Sequence, residues 1–158
     1  MIYFRNTTRK HRISARRVGR SIRALLDAAG LPDATLSVTL LGDAAMRRLN
    51  REHRGKDRTT DVLSFPLFEP FAAPAAAGDA GPELLLGDIV ISLDATRRQA
   101  AAYDAPLYAE LERLLIHGVL HLLGHDHEEP RERARMIGEE RRLAAAIGLP
   151  WPYDANAS

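Results

Sequence analysis

The stretch from Pro106 to Leu123 is apolar on nearly every side: Leu107, Leu111, Leu114, Leu115, Val119, Leu122 and Leu123 recur at a spacing of roughly 3.6 residues. A helix with so little polar surface has to be covered by other elements, so it predicts a central helix with the remaining chain wrapped around it. That helix nevertheless carries His117 and His121 near its end. Side chains four apart stand about 5–6 Å apart at Cβ on one helix face, close enough for two imidazoles to converge on one ion at roughly 2.0–2.1 Å each. Gly124 follows the last periodic residue. A glycine there can take the left-handed conformation that ends a helix, turning the chain back so that His127 returns to the same ion.

Four of the six histidines lie between His117 and His127. Three of them, His117, His121 and His127, make up the expected ligand set, and three nitrogens leave a fourth position open, as in catalytic rather than structural zinc. The competing reading is a histidine-rich helix end whose imidazoles face solvent. His125 is expected to point away from the ion. Asp126 is a candidate to orient a ligand imidazole from behind, with capping of the turn as the alternative.

At 158 residues and 46% hydrophobic, the chain suits one compact domain over residues 1–150, followed by a short tail, 151–158. The lack of cysteine excludes disulfides and thiolate zinc cages, is compatible with the cytoplasm, and directs any metal toward histidine. No apolar run approaches the roughly 20 residues of a membrane span, and the N-terminal segment lacks the long apolar stretch of a signal peptide. A soluble, unprocessed protein is expected. Formal net charge is only +1, but it is unevenly spread. Between Arg5 and Arg23 there are eight Lys or Arg residues, Arg16 and Arg20 among them, and no acid. A second basic cluster runs through Arg47, Arg48, Arg51, Arg54, Lys56 and Arg58, while acids gather between Asp126 and Glu140. Such asymmetry suits a phosphate-binding face, because ion pairing to phosphates supplies most nonspecific nucleic-acid affinity; a solvated helix face is the alternative.

Local patterns predict a strand at Ile2–Phe4, an amphipathic helix at Ser14–Ala29 stopped by Gly30, a strand at Thr35–Leu41 and a helix from Asp43, acting as its cap, to about His53. A third strand spans Asp61–Phe65, and Leu84–Leu93, interrupted by Gly87-Asp88, reads as the strongest strand. Leu67–Pro82, rich in Ala, Pro and Gly, is expected to be a mobile surface loop. Helices at Asp94–Tyr103, the histidine helix and Arg131–Ile147 complete the chain. Strands and helices interleave early and helices then take over, so the predicted class is a small α+β domain: about four strands in a mixed sheet, roughly five helices, and the histidine helix packed centrally.

The spacing His117-x-x-x-His121-x-x-Gly124-x-x-His127 is also that of metzincin proteases, in which a glutamate directly after the first histidine is the general base. Here that position is Gly118, which has no titratable group. The whole string His117-Gly-Val-Leu-His-Leu-Leu-Gly-His-Asp-His127 instead resembles the signature of the YbeY family of bacterial metal-dependent endoribonucleases. Arg54-Gly-Lys-Asp-Arg-Thr-Thr-Asp-Val-Leu-Ser-Phe-Pro66 is similar to that family's central motif, and Leu86-Gly-Asp-Ile-Val-Ile-Ser92 to its later strand, with Leu49-Asn50 upstream. The resemblance implies a zinc-type ion held by three histidines, a small α+β fold and a functional arginine falling on Arg54. It also implies ribosomal RNA and the ribosomal small subunit as partners, with processing at the 3′ end of small-subunit RNA and ribosome quality control as the role. Thr59 stands where many members have proline, and His125 where tyrosine is frequent.

On this reading His117, His121 and Arg54 carry the chemistry. The ion acts as Lewis acid and activates the nucleophile, and the Arg54 guanidinium grips two phosphate oxygens in parallel. Lys56 and Arg58, with Arg16 and Arg20 further off, are the expected RNA contacts. No residue stands out as general base: Asp61 and Asp88 are available carboxylates, Asp88 also as a support behind the ligands, with capping or turn roles as the alternative for both. Nickel, copper or iron would also suit three imidazoles. Two other functions compete: a zinc hydrolase of another substrate class, such as a peptidase, and a noncatalytic ribosome-associated factor stabilised by its ion.

Overall fold

Ala34, Leu36, Val38 and Leu40 are buried at alternate positions of one strand, which is how a chain presents one apolar face of a sheet to a core. The structure is a computed structural model that describes residues 1–67, 84–125 and 128–150. In chain order the elements are β1 (Ile2–Asn6), α1 (Ala15–Ala28), β2 (Ala34–Leu41), α2 (Asp43–Arg54), β3 (Val62–Pro66), β4 (Leu84–Ser92), α3 (Leu93–Ala102), α4 (Leu107–Leu122) and α5 (Pro130–Ala146). The sheet order is β1-β2-β4-β3, with β1, β2 and β4 parallel and β3 antiparallel to β4. The expected α+β class, mixed four-stranded sheet and five helices are all present. The part of the predicted loop beyond Leu67 and the tail 151–158 lie outside the described residues. Among the described residues no helix is long and apolar enough to cross a membrane.

Alternation along β4 divides the core. Ile89 and Ile91 join the large cluster formed with α1, α4 and α5, whereas Val90 meets Leu63 of β3 and Met46 of α2 in a smaller one. Helix α3 packs against both α4 and α2. β4 kinks at Gly87, opposite the register shift between Thr35 and Leu36. There φ is +141°, and a Cβ would lie 2.3 Å from the Phe65 carbonyl oxygen, so only glycine fits between β4 and the edge strand β3.

Helix α4 is the covered helix its composition predicts, with Leu111, Leu114, Leu115, Ile116, Gly118, Val119, Leu120 and Leu122 buried. Gly118 lets it lie directly on β4: a Cβ there would be 2.9 Å from Ile89 Cγ2. Beside this contact the Ser64 hydroxyl donates to the Gly118 carbonyl at 3.1 Å. The helix stops as expected at Gly124, whose φ is +94°. Gly124 N–H donates to His121 O and His125 N–H to Leu120 O, both at 3.0 Å, which is the paired bonding of a Schellman terminus.

The start of α2 departs from expectation. Gly42 occupies the cap position and Asp43 is already helical; the backbone N–H of Asp43 is satisfied by Asp94 Oδ2 at 2.9 Å, from the first turn of α3. Asp43 turns its carboxylate to Arg98, at 2.6 Å, to the Ser92 hydroxyl at 2.9 Å and to the Thr59 hydroxyl at 3.2 Å. The Arg98 hydrogen bond holds the Asp43 carboxyl below its usual 3.8, with Ser92 and Thr59 assisting against the opposing effect of burial. The Asp43 N–H and then His11 likewise lower Asp94.

Two consequences are measurable. Alanine at 118 gains about 1 kcal/mol of helix propensity that offsets most of the strain of one methyl, but Gly118→Val has no comparable gain and should lose about 2–3 kcal/mol in urea unfolding. Wild-type stability in the valine variant would disprove the close packing. Both aspartates are lowered on folding, so their stabilisation is complete above the unfolded value of 3.8 and is lost as pH falls through the folded one. The Tm of the protein should therefore drop below about pH 4, and Asp43→Asn should start lower at neutral pH yet fall less steeply in that acid window.

Candidate active site

The edge strand β3 lies between the end of α2 and the histidine half of α4, and an open cleft of about 770 Å³ follows it. His53 and Arg54 line one end, Thr60 to Phe65 the strand side, and His117, His121, Gly124, His125 and Glu128 the other. Arg54 is the last residue of α2, delivered there because Gly55, at φ +68°, closes the helix. The following turn is anchored by Asn50, whose buried amide donates to the Arg58 carbonyl at 2.8 Å. Arg47 and Arg51 are drawn to Asp57, at 2.9 and 3.7 Å; among the described residues no carboxylate pairs with Arg54.

The two helix histidines converge as their spacing predicts. His117 Nε2 and His121 Nε2 are 3.0 Å apart. Two nitrogens bound tetrahedrally to one zinc at 2.0–2.1 Å are separated by about 3.3 Å, so a slight spreading of the rings accommodates an ion. Glu140 of α5 lies 3.1 Å from His117 Nδ1. A carboxylate there accepts a hydrogen bond from Nδ1–H, which leaves the lone pair on Nε2, the arrangement that suits a metal-ligating imidazole. Among the described residues no third His, Cys, Asp or Glu completes a set. The expected third ligand, His127, and Asp126 lie outside the described residues. Those on either side, His125 and Glu128, both line the cleft. His125 also borders a second, smaller hollow with Glu132 and Arg135, so it stands at the edge between the two.

Other expected residues fall elsewhere. Asp88 is exposed on β4 and, by strand alternation, opposite the face on which Ile89 meets Gly118, so it cannot support the imidazoles. Asp61 does line the cleft, but Oδ1 accepts from Val62 N–H at 2.8 Å and Oδ2 from Gln99 at 3.1 Å, the turn role that was the alternative for it. Lys56 and Arg58 are exposed on the turn beyond Arg54, outside the cleft lining. Arg16 and Arg20 are exposed on α1, which meets the opposite end of α4: Arg17 stacks on Tyr108 at 3.9 Å and Ser21 bonds Glu112. Tyr108 and His117 are separated by about 13 Å along a helix axis rising 1.5 Å per residue. Glu140 was not anticipated, since pairing across 23 residues leaves no local pattern. Neither were His53 and Phe65, although an aromatic ring next to Arg54 was there to be noticed.

A family model described as Endoribonuclease YbeY matches residues 3–148. This chain belongs to that YbeY family. Among its relatives, Endoribonuclease YbeY of Anaeromyxobacter sp. strain Fw109-5 is 51% identical over 87% of this chain and 67% of that protein. The Geobacter sulfurreducens protein of the same name is 39% identical over 90% of this chain and 92% of its own length. The chain spans about two thirds of the Anaeromyxobacter relatives, and the match to the Myxococcus xanthus protein covers 41% of that protein. The solution structure of TM1509 from Thermotoga maritima shares the fold, with a TM-score of 0.63 at 24% identity over 99% of this chain and 94% of that one. Arg54 and the converging imidazoles lie in two of the stretches by which the sequence resembles that family.

Proposed function

We propose that the protein is a metal-dependent endoribonuclease of single-stranded RNA that acts in ribosomal RNA processing, at the 3′ end of small-subunit RNA, and in ribosome quality control, in the cytoplasm. The observation that carries this reading is the placement of an exposed guanidinium, Arg54, in the same cleft as two imidazoles whose Nε2 atoms are 3.0 Å apart. His117, His121 and His127 would hold one divalent ion of the zinc type. Such an ion would supply Lewis acidity toward a phosphoryl oxygen and would lower the pKa of water toward neutrality.

The chain's own groups do the rest. Arg54 is always charged and can take two phosphate oxygens in parallel, fixing the reacting phosphate and offsetting the charge that builds on it. Glu140 keeps His117 in one tautomer and one orientation. Asp61 accepts from Val62 N–H and from Gln99 and so holds the cleft wall. Lys56 and Arg58, exposed beside Arg54, bind the flanking RNA backbone, and Arg16 and Arg20 form a separate, remote phosphate contact. Attack by water and attack by the RNA's own 2′-OH use the same groups; a 2′,3′-cyclic phosphate on the product identifies the second. A peptidase is disfavoured on packing grounds, because a side chain at 118 would collide with Ile89 where such an enzyme needs its glutamate.

The direct test couples elemental analysis to cleavage of single-stranded ribosomal RNA by one preparation. His117→Ala and Arg54→Glu should each abolish cleavage, and full activity in both would sink the assignment. A noncatalytic factor would show Tm lost on chelation, with RNA still bound and none cut at any metal loading. Separately, Glu140→Gln should weaken zinc binding roughly 10- to 100-fold in a chelator competition, a readout independent of turnover.

A further inference from the structure

Arg54 and an ion between the imidazoles can recognise a phosphate, but neither distinguishes a nucleic acid chain with free bases from a paired one. Two rings in the same cleft can. His53 is exposed and Phe65 half-buried, and both line the cleft beside Arg54. Their ring centroids are 5.2 Å apart and their planes 65° apart. Phe65 is anchored from below, packing against the cluster of Met46, Leu63 and Val90, so it braces the His53 ring. In such an edge arrangement Phe65 covers at most one face of the imidazole. The other face is left to the cleft.

We propose that His53, braced by Phe65, is a stacking shelf for one unpaired nucleobase next to the phosphate held by Arg54. The proposal rests on the ribonuclease reading above and adds the origin of its single-strand preference. A base inside a duplex has both faces covered by its neighbours, whereas an unpaired base can be splayed onto an aromatic side chain irrespective of its identity. His53 and Arg54 are consecutive at the end of α2, so phosphate grip and base shelf move as one unit. The shelf holds the substrate and takes no part in proton transfer.

Steady-state cleavage of a short single-stranded RNA by the zinc-loaded protein tests this, with one abasic nucleotide walked through the cleavage region. His53→Ala should raise KM roughly tenfold and change kcat less than twofold, and His53→Phe should restore KM, since any π face suffices. Wild type should lose a similar factor when the abasic position meets the shelf, and His53→Ala should not lose it a second time. Unchanged KM in His53→Ala overturns the proposal. So does failure of phenylalanine to rescue, especially with an altered pH profile of kcat, which would make His53 a proton-transfer group. Equal cleavage of the same sequence as a duplex also overturns it. Should wild type cleave no RNA, the ribonuclease reading fails, and equilibrium binding of the same oligonucleotides then decides the shelf: Kd must show the same dependence on the ring and on the abasic position.

Discussion

At Gly118 helix α4 rests its backbone on the Ile89 side chain of β4, with no side chain of its own in the way, and the cleft follows from that contact. A helix held off the sheet by an ordinary side chain would lift His117 and His121 away from the edge strand; here the Ile89 side chain fills the space a Cβ would need. The Ser64 hydroxyl bonds the Gly118 carbonyl at the same point, which ties β3 to α4 and sets the distance between strand and imidazoles. Gly87 does the equivalent for the sheet, allowing β3 to approach β4 where any other residue would strike the Phe65 carbonyl. Two glycines thus bring the three elements together, and the residues with chemistry are carried on the scaffold they permit. The energetic logic is that of a close-packed interior, where a methyl group in the wrong place is felt directly.

The electrostatics follow a similar division. Of the arginines at the end of α2, Arg47 and Arg51 are turned toward Asp57. Arg54, one turn on from Arg51 and released by the left-handed Gly55, lines the cleft instead. With Arg47 and Arg51 paired to Asp57, Arg54 is the cation of this helix end that lines the cleft with the imidazoles. The basic stretch around α1 is larger but lies toward the other end of α4.

Much of this was legible in the sequence because the signals were periodic or conformational. The all-round apolar pattern of Pro106–Leu123 predicted a covered central helix, and Gly124 predicted its end; both are realised within a residue of the expected limits. The i, i+4 histidine spacing placed two nitrogens together without knowledge of the rest of the fold. What the sequence could not show was any relation across elements. Glu140 reaches His117 from a different helix, His125 borders the cleft just past a turn, and Asp88 is kept from the imidazole side by the phase of a strand. In each case the residue type was visible and its direction was not. At Gly118 the sequence shows only a missing base, and the packing on Ile89 shows why a larger side chain is disfavoured there.

The cleft wall at Asp61 is tied into the body of the fold. Asp61 is fixed by Gln99, whose other amide atom accepts from Arg113 at 3.1 Å, and Arg113 in turn pairs at 2.8 Å with Glu110, which is 1% exposed. A buried carboxylate is tolerated only with its cation and hydrogen bonds in place, and removing one partner of such a pair costs far more than the pair itself contributes. Losing the Asp61–Gln99 bond would loosen that line at one end and unsettle the buried end inside α4. The first turns of α4 therefore hold the cleft wall while its last turns carry the imidazoles, and the same helix cannot shift to relax one task without disturbing the other. The polar contacts of Glu110 and Arg113 thus lie about one to two turns before His117 on the same helix.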